Sequence, residues 1–558
     1  LNELFMDKSN TVMSCVIAIA WSACPNPYYR YLVGPLRPQA SRVLASCGLL
    51  MMLVAFSANS AERDEEAGAF FNSTNLTVFR VELAEAEIRK LAVNAKTYVP
   101  GTVRAAGCTL ENVGVRLKGM GTFEPIYARP SITLKFNWKQ AHQQFSGLSK
   151  LFLENSDQDA SRLCKLIANG AFNDGGIPAP RITQARVELN GRDLGFYVVS
   201  EAINKAFLRD HFGNDEGNMY EAEFRDINSQ LKQDNGPLGD QSDLHELCAA
   251  ALNRDQARRG KELDRLLQTD KVLDFLAIEM IVANWDGYVF QQNNYRIYHD
   301  PASGRMSVIP HDLDNTFSEC NMSLMPPRKG ILTSALLETR EQRAAFRERV
   351  ATLLPKVLDP ERIHERVRCS VVRLTQGTTP QETEIVQRQA ALMEQRIQQR
   401  RDHLRDELAG KHPTEPAFDT NGVARLSGWT AKTDWNGSVA KAVVIDGKPA
   451  LLVQAARGYC FASWRLPVWV PAGLYRLEGS ARTSGVAGLP SRTGSGAGVR
   501  ALGNRRGSGV QDSSDWTLVR HEFAVQEDCE YVELIAELRA FSGMAWFDPD
   551  SLRLIRVR

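Results

Sequence analysis

The sequence predicts an α+β body followed by an all-β sandwich. Three observations carry that expectation. Apolar runs with period-2 alternation fill the stretch from Phe79 to about Phe152. Runs with helical spacing dominate from Lys271 to Leu408. Beyond Pro416 the helical spacing gives way to short strands separated by Gly, Asp and Asn. A chain of 558 residues, 43% hydrophobic and 24% charged, can bury more than one core. Lys plus Arg (67) and Asp plus Glu (66) nearly cancel, so net charge gives no reason to expect a nucleic acid or an anionic membrane as partner.

At the N-terminal end, Arg37 and Arg42 precede the apolar run from Val43 to Phe56. Small residues from Ser57 to Ala61 follow, then the acidic stretch Glu62 to Glu66. That order reads as a secretory signal over residues 1–61, which predicts a secreted, periplasmic or extracellular protein. The apolar run is short for a membrane span, so membrane contact is expected only through an uncleaved leader.

In the body, Val113 to Leu117 and Ile132 to Phe136 alternate as half-buried strands do. Asp157 and Asp159 offer caps to a helix carrying Leu163, Leu166, Ile167 and Phe172, which Gly175-Gly176 and Pro178 end. Arg181 to Leu189 and Leu194 to Ser200 flank Asn190-Gly191, the pair best suited to a type I′ hairpin turn. Glu201 to Phe212 reads as a helix ended by Gly213, Lys271 to Trp285 as a strongly apolar helix, and Glu382 to Leu408 as a long charged one. The boundaries are then 62–409 for one domain, 410–416 for a linker and 417–558 for the sandwich. Seven cysteines follow the signal with no C-x-x-C, so zinc is not expected; an oxidising compartment permits a Cys460–Cys529 bridge within the last domain, but the spacing does not fix the pairing and the odd total leaves at least one free or intermolecular thiol.

The chemistry lies in Asn284-Trp285-Asp286-Gly287-Tyr288, then Asn293-Asn294-Tyr295, then Ile309-Pro310-His311-Asp312-Leu313-Asp314. Between the ends, Tyr295 to His299 and Met306 to Pro310 form a hairpin, which fixes carboxylates at both of its ends. A carboxylate to orient a hydroxyl, with an amide and a second carboxylate to hold a metal against phosphates, is what phosphoryl transfer requires. The same residues also admit a plainer reading, in which Asp286 caps a turn and Asp312 and Asp314 meet structural Ca²⁺ or solvent.

Val113 to Gly119, Arg129-Pro130-Ser131, Leu134-Lys135-Phe136, Gly195 to Glu201, Trp285 to Tyr288, Asn294-Tyr295 and Ile309 to Asp314 together resemble the CotH (spore-coat protein H-like) kinase family, in the family's order across residues 77–405. The resemblance implies a divergent two-lobed protein-kinase-like domain, followed here by an all-β jelly-roll-like sandwich. It also implies transfer of phosphate from ATP, with Mg²⁺ or Mn²⁺, to Ser or Thr of surface or extracellular proteins. Asp286 would be the catalytic aspartate, Asn294 a metal ligand, Asp312 the metal-binding aspartate and Asp314 a helper. For the phosphates, Lys118 and Lys135 are the expected cations, with Glu201 pairing one of them. Two departures stand out. Asp286 and Asn294 are eight positions apart (294 minus 286), longer than in ordinary kinases, so Asn293 or Gln291 could meet the metal instead. Gly217-Asn218-Met219-Tyr220-Glu221 ends in Glu221 where many family members resemble Tyr-Lys.

Six of the nine tryptophans, Trp429, Trp435, Trp464, Trp469, Trp516 and Trp546, lie in the last domain, which looks like a carbohydrate-binding jelly roll. Trp516 and Trp546 are expected in its core, and Trp435 as an exposed platform for a glycan. Asp548 is read as a turn carboxylate or a Ca²⁺ ligand. The alternative to an active kinase is a non-catalytic surface protein, a pseudokinase scaffold joined to a glycan-binding sandwich.

Overall fold

The computed structural model describes residues 63–557, apart from 238, 412, 414, 434–437, 457–459, 461, 490–493 and 505 and the side chains of 526–530. The predicted signal, the Trp435 platform and the side chain of Cys529 therefore lie outside the described residues. The chain divides into two compact units, Leu1–Glu65 and Glu66–Arg558, and everything below concerns the second.

Alternation builds its first part. Strands β1 (Thr77–Glu82), β2 (Val99–Ala105), β3 (Cys108–Lys118), β4 (Ser131–Lys135), β5 (Lys150–Glu154), β6 (Ile182–Leu189) and β7 (Arg192–Glu201) close into a barrel in the order β1-β2-β3-β4-β5-β7-β6. Val113, Val115 and Leu117 on β3, Ile132 and Leu134 on β4, and Leu151 and Leu153 on β5 fill the inside. The intervening residues, Arg116, Lys118, Thr133, Phe152 and Glu154, face the other way because successive side chains on a strand point to opposite sides. The turn between β6 and β7 is the one expected, with φ of +48° at Asn190 and +76° at Gly191. Glu201 belongs to β7, and the following helix, Lys205–Phe212, starts only after the Asn204 side chain has accepted the Ala206 and Phe207 N–H groups. The expected helical start at Glu201 is thus corrected: ladder pairing with β5 claims that residue.

A second core surrounds the helix Thr269–Ile281, which is buried along nearly its whole length. Beside it lies a four-stranded sheet in the order β11-β10-β8-β9, made of β8 (Asn218–Ala222), β9 (Lys232–Asn235), β10 (Tyr295–Asp300) and β11 (Arg305–Pro310). The predicted β10–β11 hairpin pairs Tyr295 with Pro310 through Asp300 with Arg305. The long helix Pro380–Leu408 opens with a Thr379/Glu382 capping box. From it the buried Arg400 donates to the carbonyls of Met280 (2.6 Å), Ile281 (3.2 Å) and Cys320 (3.0 Å), tying three chain segments together behind the sheet.

The C-terminal region is β-rich. It contains β12 (Val423–Arg425), β13 (Thr430–Lys432), β14 (Val439–Ile445), β15 (Lys448–Gln454), β16 (Ser463–Gly488), β17 (Gly496–Ala501), β18 (Asp512–Phe547) and β19 (Arg553–Arg556), in one sheet system over a third core. Along β16 and β18 one residue number rises as the other falls, Ser463 opposite Glu537 and Val468 opposite Val532, so these stretches run in opposite directions. The expectation for two tryptophans fails: Trp516 is 39% exposed and Trp546 is half-buried. The core is filled instead by Trp464, whose Nε1 donates to the Leu452 carbonyl at 3.1 Å. Asp548 accepts the Asp550 N–H at 3.0 Å, as a turn carboxylate does.

Candidate active site

Asp286 sits on a turn that a buried acid pins from below. Glu279, on the last turns of the apolar helix, accepts the N–H groups of Tyr288 (3.2 Å) and Val289 (3.0 Å) and the Asn284 side chain (2.9 Å). Gly287 is required there, because a Cβ would lie 2.0 Å from Glu279 Oε1 and 2.3 Å from Asn284 Nδ2. Asn294 Nδ2 donates to Asp286 Oδ2 at 3.1 Å, and Asn315 Nδ2 to the same oxygen at 3.3 Å. His311 donates its backbone N–H to the Asn294 carbonyl at 2.9 Å, which ties the two ends of the β10–β11 hairpin to each other. Asn294 and Asp312 both adopt left-handed backbone (φ +56° and +52°), a conformation that asparagine and aspartate tolerate better than most side chains and that a fold retains only where its surroundings demand it.

The facing wall comes from the barrel. Glu154 accepts from Lys118, from Lys165 at 2.8 Å and from the Ser200 hydroxyl at 2.5 Å, and Lys165 reaches on to Asp312 Oδ1. Lys165 is the second residue of the helix Cys164–Asp174, whose start is held by Asp159 accepting the Cys164 N–H at 2.9 Å. Lys118, Glu154, Lys165 and Asp312 thus form one chain of alternating charge across the cleft. Two expectations need correction. Glu201 pairs with neither lysine; Arg181 holds it, donating from its backbone N–H at 3.1 Å and from its guanidinium at 3.0 and 2.6 Å. Parity is the reason: Glu201 shares the strand face of Tyr197 and Val199, which fill the barrel, whereas Lys118 lies on the opposite face. Lys135 is on the correct face but beyond the cleft, with its Nζ 6.0 Å from the Tyr98 ring.

The cleft encloses about 1370 Å³, and Lys118, Lys150, Lys165, Asp286, Asp312 and Asp314 line it. Its acids repel one another. Burial, and then the Asp312 charge, push the Asp286 carboxyl up to about 6; the same two causes raise Asp314 well above the usual range. Asp312 goes the other way: burial is the largest single influence and would raise it, but Lys165, Lys118 and His311 together pull it below the usual range. Burial and Arg116 lower the Lys150 ammonium to about 8, leaving a desolvated cation on the barrel wall. Glu221, the departure from the family pattern, is held ionised against burial by Arg296 at 2.8 Å and by Lys232, so its charge is cancelled.

Among the described residues no three His, Cys, Asp or Glu side chains gather as a metal-binding group. The donor set of Asp312, Asp314 and Asn294 nonetheless suits a hard divalent cation with oxygen ligands, and the mutual repulsion of the acids is the kind of imbalance such an ion relieves. Lys165, Glu154 and Asn315 were missed in the sequence. Glu154 could have been found, since it ends an alternating run in which Leu151 and Leu153 point inward.

The CotH kinase protein family model matches residues 115–411, more than half of the chain, and the chain belongs to that family. It is 25% identical over 189 residues to inner spore coat protein H of Bacillus subtilis (strain 168), a match covering 31% of this chain; the chain spans about half (51%) of that relative's length. Two solved structures are similar to parts of it. The Helicobacter pylori proinflammatory kinase CtkA is 10% identical, over 50% of this chain and 94% of that one, with a TM-score of 0.27. The CBM22-1 xylan-binding domain of Paenibacillus barcinonensis Xyn10C is 12% identical, over 24% of this chain and 88% of that one, with a TM-score of 0.16. Among the described residues no helix is long and apolar enough to cross a membrane.

Proposed function

We propose that this chain is a protein kinase that binds ATP with Mg²⁺ or Mn²⁺ in the cleft and transfers the γ-phosphoryl group to Ser or Thr of an extracellular or surface protein. One observation carries the reading: three mutually repelling carboxylates, Asp286, Asp312 and Asp314, meet lysines anchored by Glu154 in a single cleft. The barrel and the helical core are then the two lobes of a kinase-like domain. The C-terminal sheet is a jelly-roll-like, carbohydrate-binding-like module that holds the enzyme near a glycan. A surface location fits the coat-protein name of its Bacillus relative.

Asp286 orients the acceptor hydroxyl and takes its proton while the oxygen–phosphorus bond forms and the bond to the departing ADP oxygen breaks. Asn294 and Asn315 fix the carboxylate for that task. Lys118, Lys150 and Lys165 bind the phosphates. Asp312, Asp314 and Asn294 would hold a divalent ion, whose charge offsets that of the triphosphate.

The purified chain should bind ATP only with a divalent cation and incorporate labelled phosphate into protein. Metal-dependent ATP binding with no transfer to any protein would favour the non-catalytic scaffold, a reading to which the acid at Glu221 lends weight.

A further inference from the structure

The C-terminal sheet supplies a further wall of the cleft, with an excess of positive charge. Arg500 on β17, Arg506 in the loop after it and Arg539 on β18 all line the cleft. Each places Nε against a single carboxylate oxygen, Oε1 of Glu537, at 2.9, 3.1 and 2.9 Å respectively. One carboxylate cannot neutralise three guanidinium ions. The neighbouring acids do not make up the difference, because Glu319 and Glu533 are both engaged by Arg465, and Glu319 also by Lys432.

The cluster is also short of acceptors. Arg506, with 3% of its side chain exposed, has no hydrogen-bond partner at Nη1, and the Nε of Arg539, although close to Glu537, makes no hydrogen bond either. Gly498 and Gly509 leave room for this guanidinium, since a Cβ at either would lie 2.3 or 2.4 Å from Nη1. Arg539, 28% exposed, is the member most open to the cleft.

Its position points to one side of the reaction. Gly503, between Arg500 and Arg506, packs against Phe290, four residues beyond Asp286; a Cβ there would be 3.2 Å from the Phe290 ring. The wall therefore stands beside the segment carrying Asp286, whereas Lys118 and Lys150 stand on the barrel. We propose that the arginine wall binds an anionic side chain, carboxylate or phosphorylated, flanking the acceptor hydroxyl, so that the enzyme selects acidic peptide segments. This inference rests on the kinase reading above and names its substrate class.

The test uses the full chain and fluorescent peptides in which alanine replaces the acceptor residue, flanked by aspartates, by phosphoserines or by lysines. Anisotropy should show the two acidic peptides binding and the lysine peptide not. Arg539→Gln should weaken the acidic peptides about tenfold, the size of one charge-assisted hydrogen bond, and leave Mg²⁺-dependent ATP affinity unchanged. Arg539→Lys should retain most of the affinity. Arg500→Gln gives a second reading should Arg539→Gln not fold. Equal binding of acidic and basic peptides, or a loss confined to ATP, would overturn the proposal. Because no transfer is measured, failure of the kinase reading appears separately, as absence of metal-dependent ATP binding in the unaltered chain.

Discussion

Asp314 and Glu319 lie five residues apart on one segment, both half-buried, and their carboxyls are driven in opposite directions. Burial raises Asp314, and Asp312 beside it raises it further. Glu319 faces the same penalty, but Arg465 at 2.8 Å and Lys432 at 3.2 Å pull it down to about 2. Burial alone thus decides neither case; the matched or unmatched neighbour does. The matched acid joins the region of the kinase-family match to the C-terminal sheet, and the unmatched ones mark where a cationic ligand would settle.

The sharpest way to break this comparison is to remove the cleft acids one at a time, the unmatched Asp286 and the lysine-paired Asp312. Asp286→Ala should lower transfer by about 10²- to 10⁴-fold, the usual worth of a general base, and leave ATP affinity nearly unchanged. Asp312→Ala should instead abolish metal-dependent ATP binding. Titration calorimetry with and without Mg²⁺ separates the two, and equal loss of affinity in both variants would show that Asp286 is a metal ligand.

Next in size is the alternating chain at Glu154. Glu154→Gln removes one of the two acids that Lys165 pairs with directly while leaving the ammonium buried, and should cost about 3 kcal/mol or more in a denaturant titration. A negligible cost would mean that the pairing is incidental.

The barrel was legible because two-residue periodicity marks which side chains point inward, and Val113, Val115 and Leu117 do so. The β10–β11 hairpin was legible because Tyr295 to Pro310 alternates around a turn. The partners of Lys118 were not. Which acid meets a strand lysine depends on register across β3, β4 and β5, and on a helix that delivers Lys165 from elsewhere in the sequence, so the sequence points to Glu201 where the fold uses Glu154. The arginine wall was hidden for the same reason: Arg500 and Arg539 meet only through the β17–β18 ladder.

Matched charge makes its own prediction at the other end of the segment. The folded-state value of Glu319, about 2, lies below its ordinary value of 4.5. Its contribution is therefore present above about 4.5 and lost as pH falls from there towards 2, a change of about 3 kcal/mol. Glu319→Gln should flatten that part of the stability profile, read by thermal melting at each pH. A chain ending near Leu408 removes Arg465 and Lys432 together; it should keep ATP binding and lose the same acid-sensitive increment. A truncated chain with an unchanged profile would show that the two regions are not coupled through Glu319.

The smallest effect is expected at Trp516, where neither charge nor core packing is at stake. It lies on β18 with 39% of the residue exposed, and the strand's pairing does not depend on its side chain. Trp516→Ala should then shift the melting point by the equivalent of about 0.5 kcal/mol or less. An exposed indole beside a sheet can stack on a sugar face, so the same variant should lose retention on insoluble polysaccharide if the C-terminal region holds glycans there. Unchanged retention would move any glycan contact elsewhere on the sheet, and a large loss of stability would show that the ring packs after all.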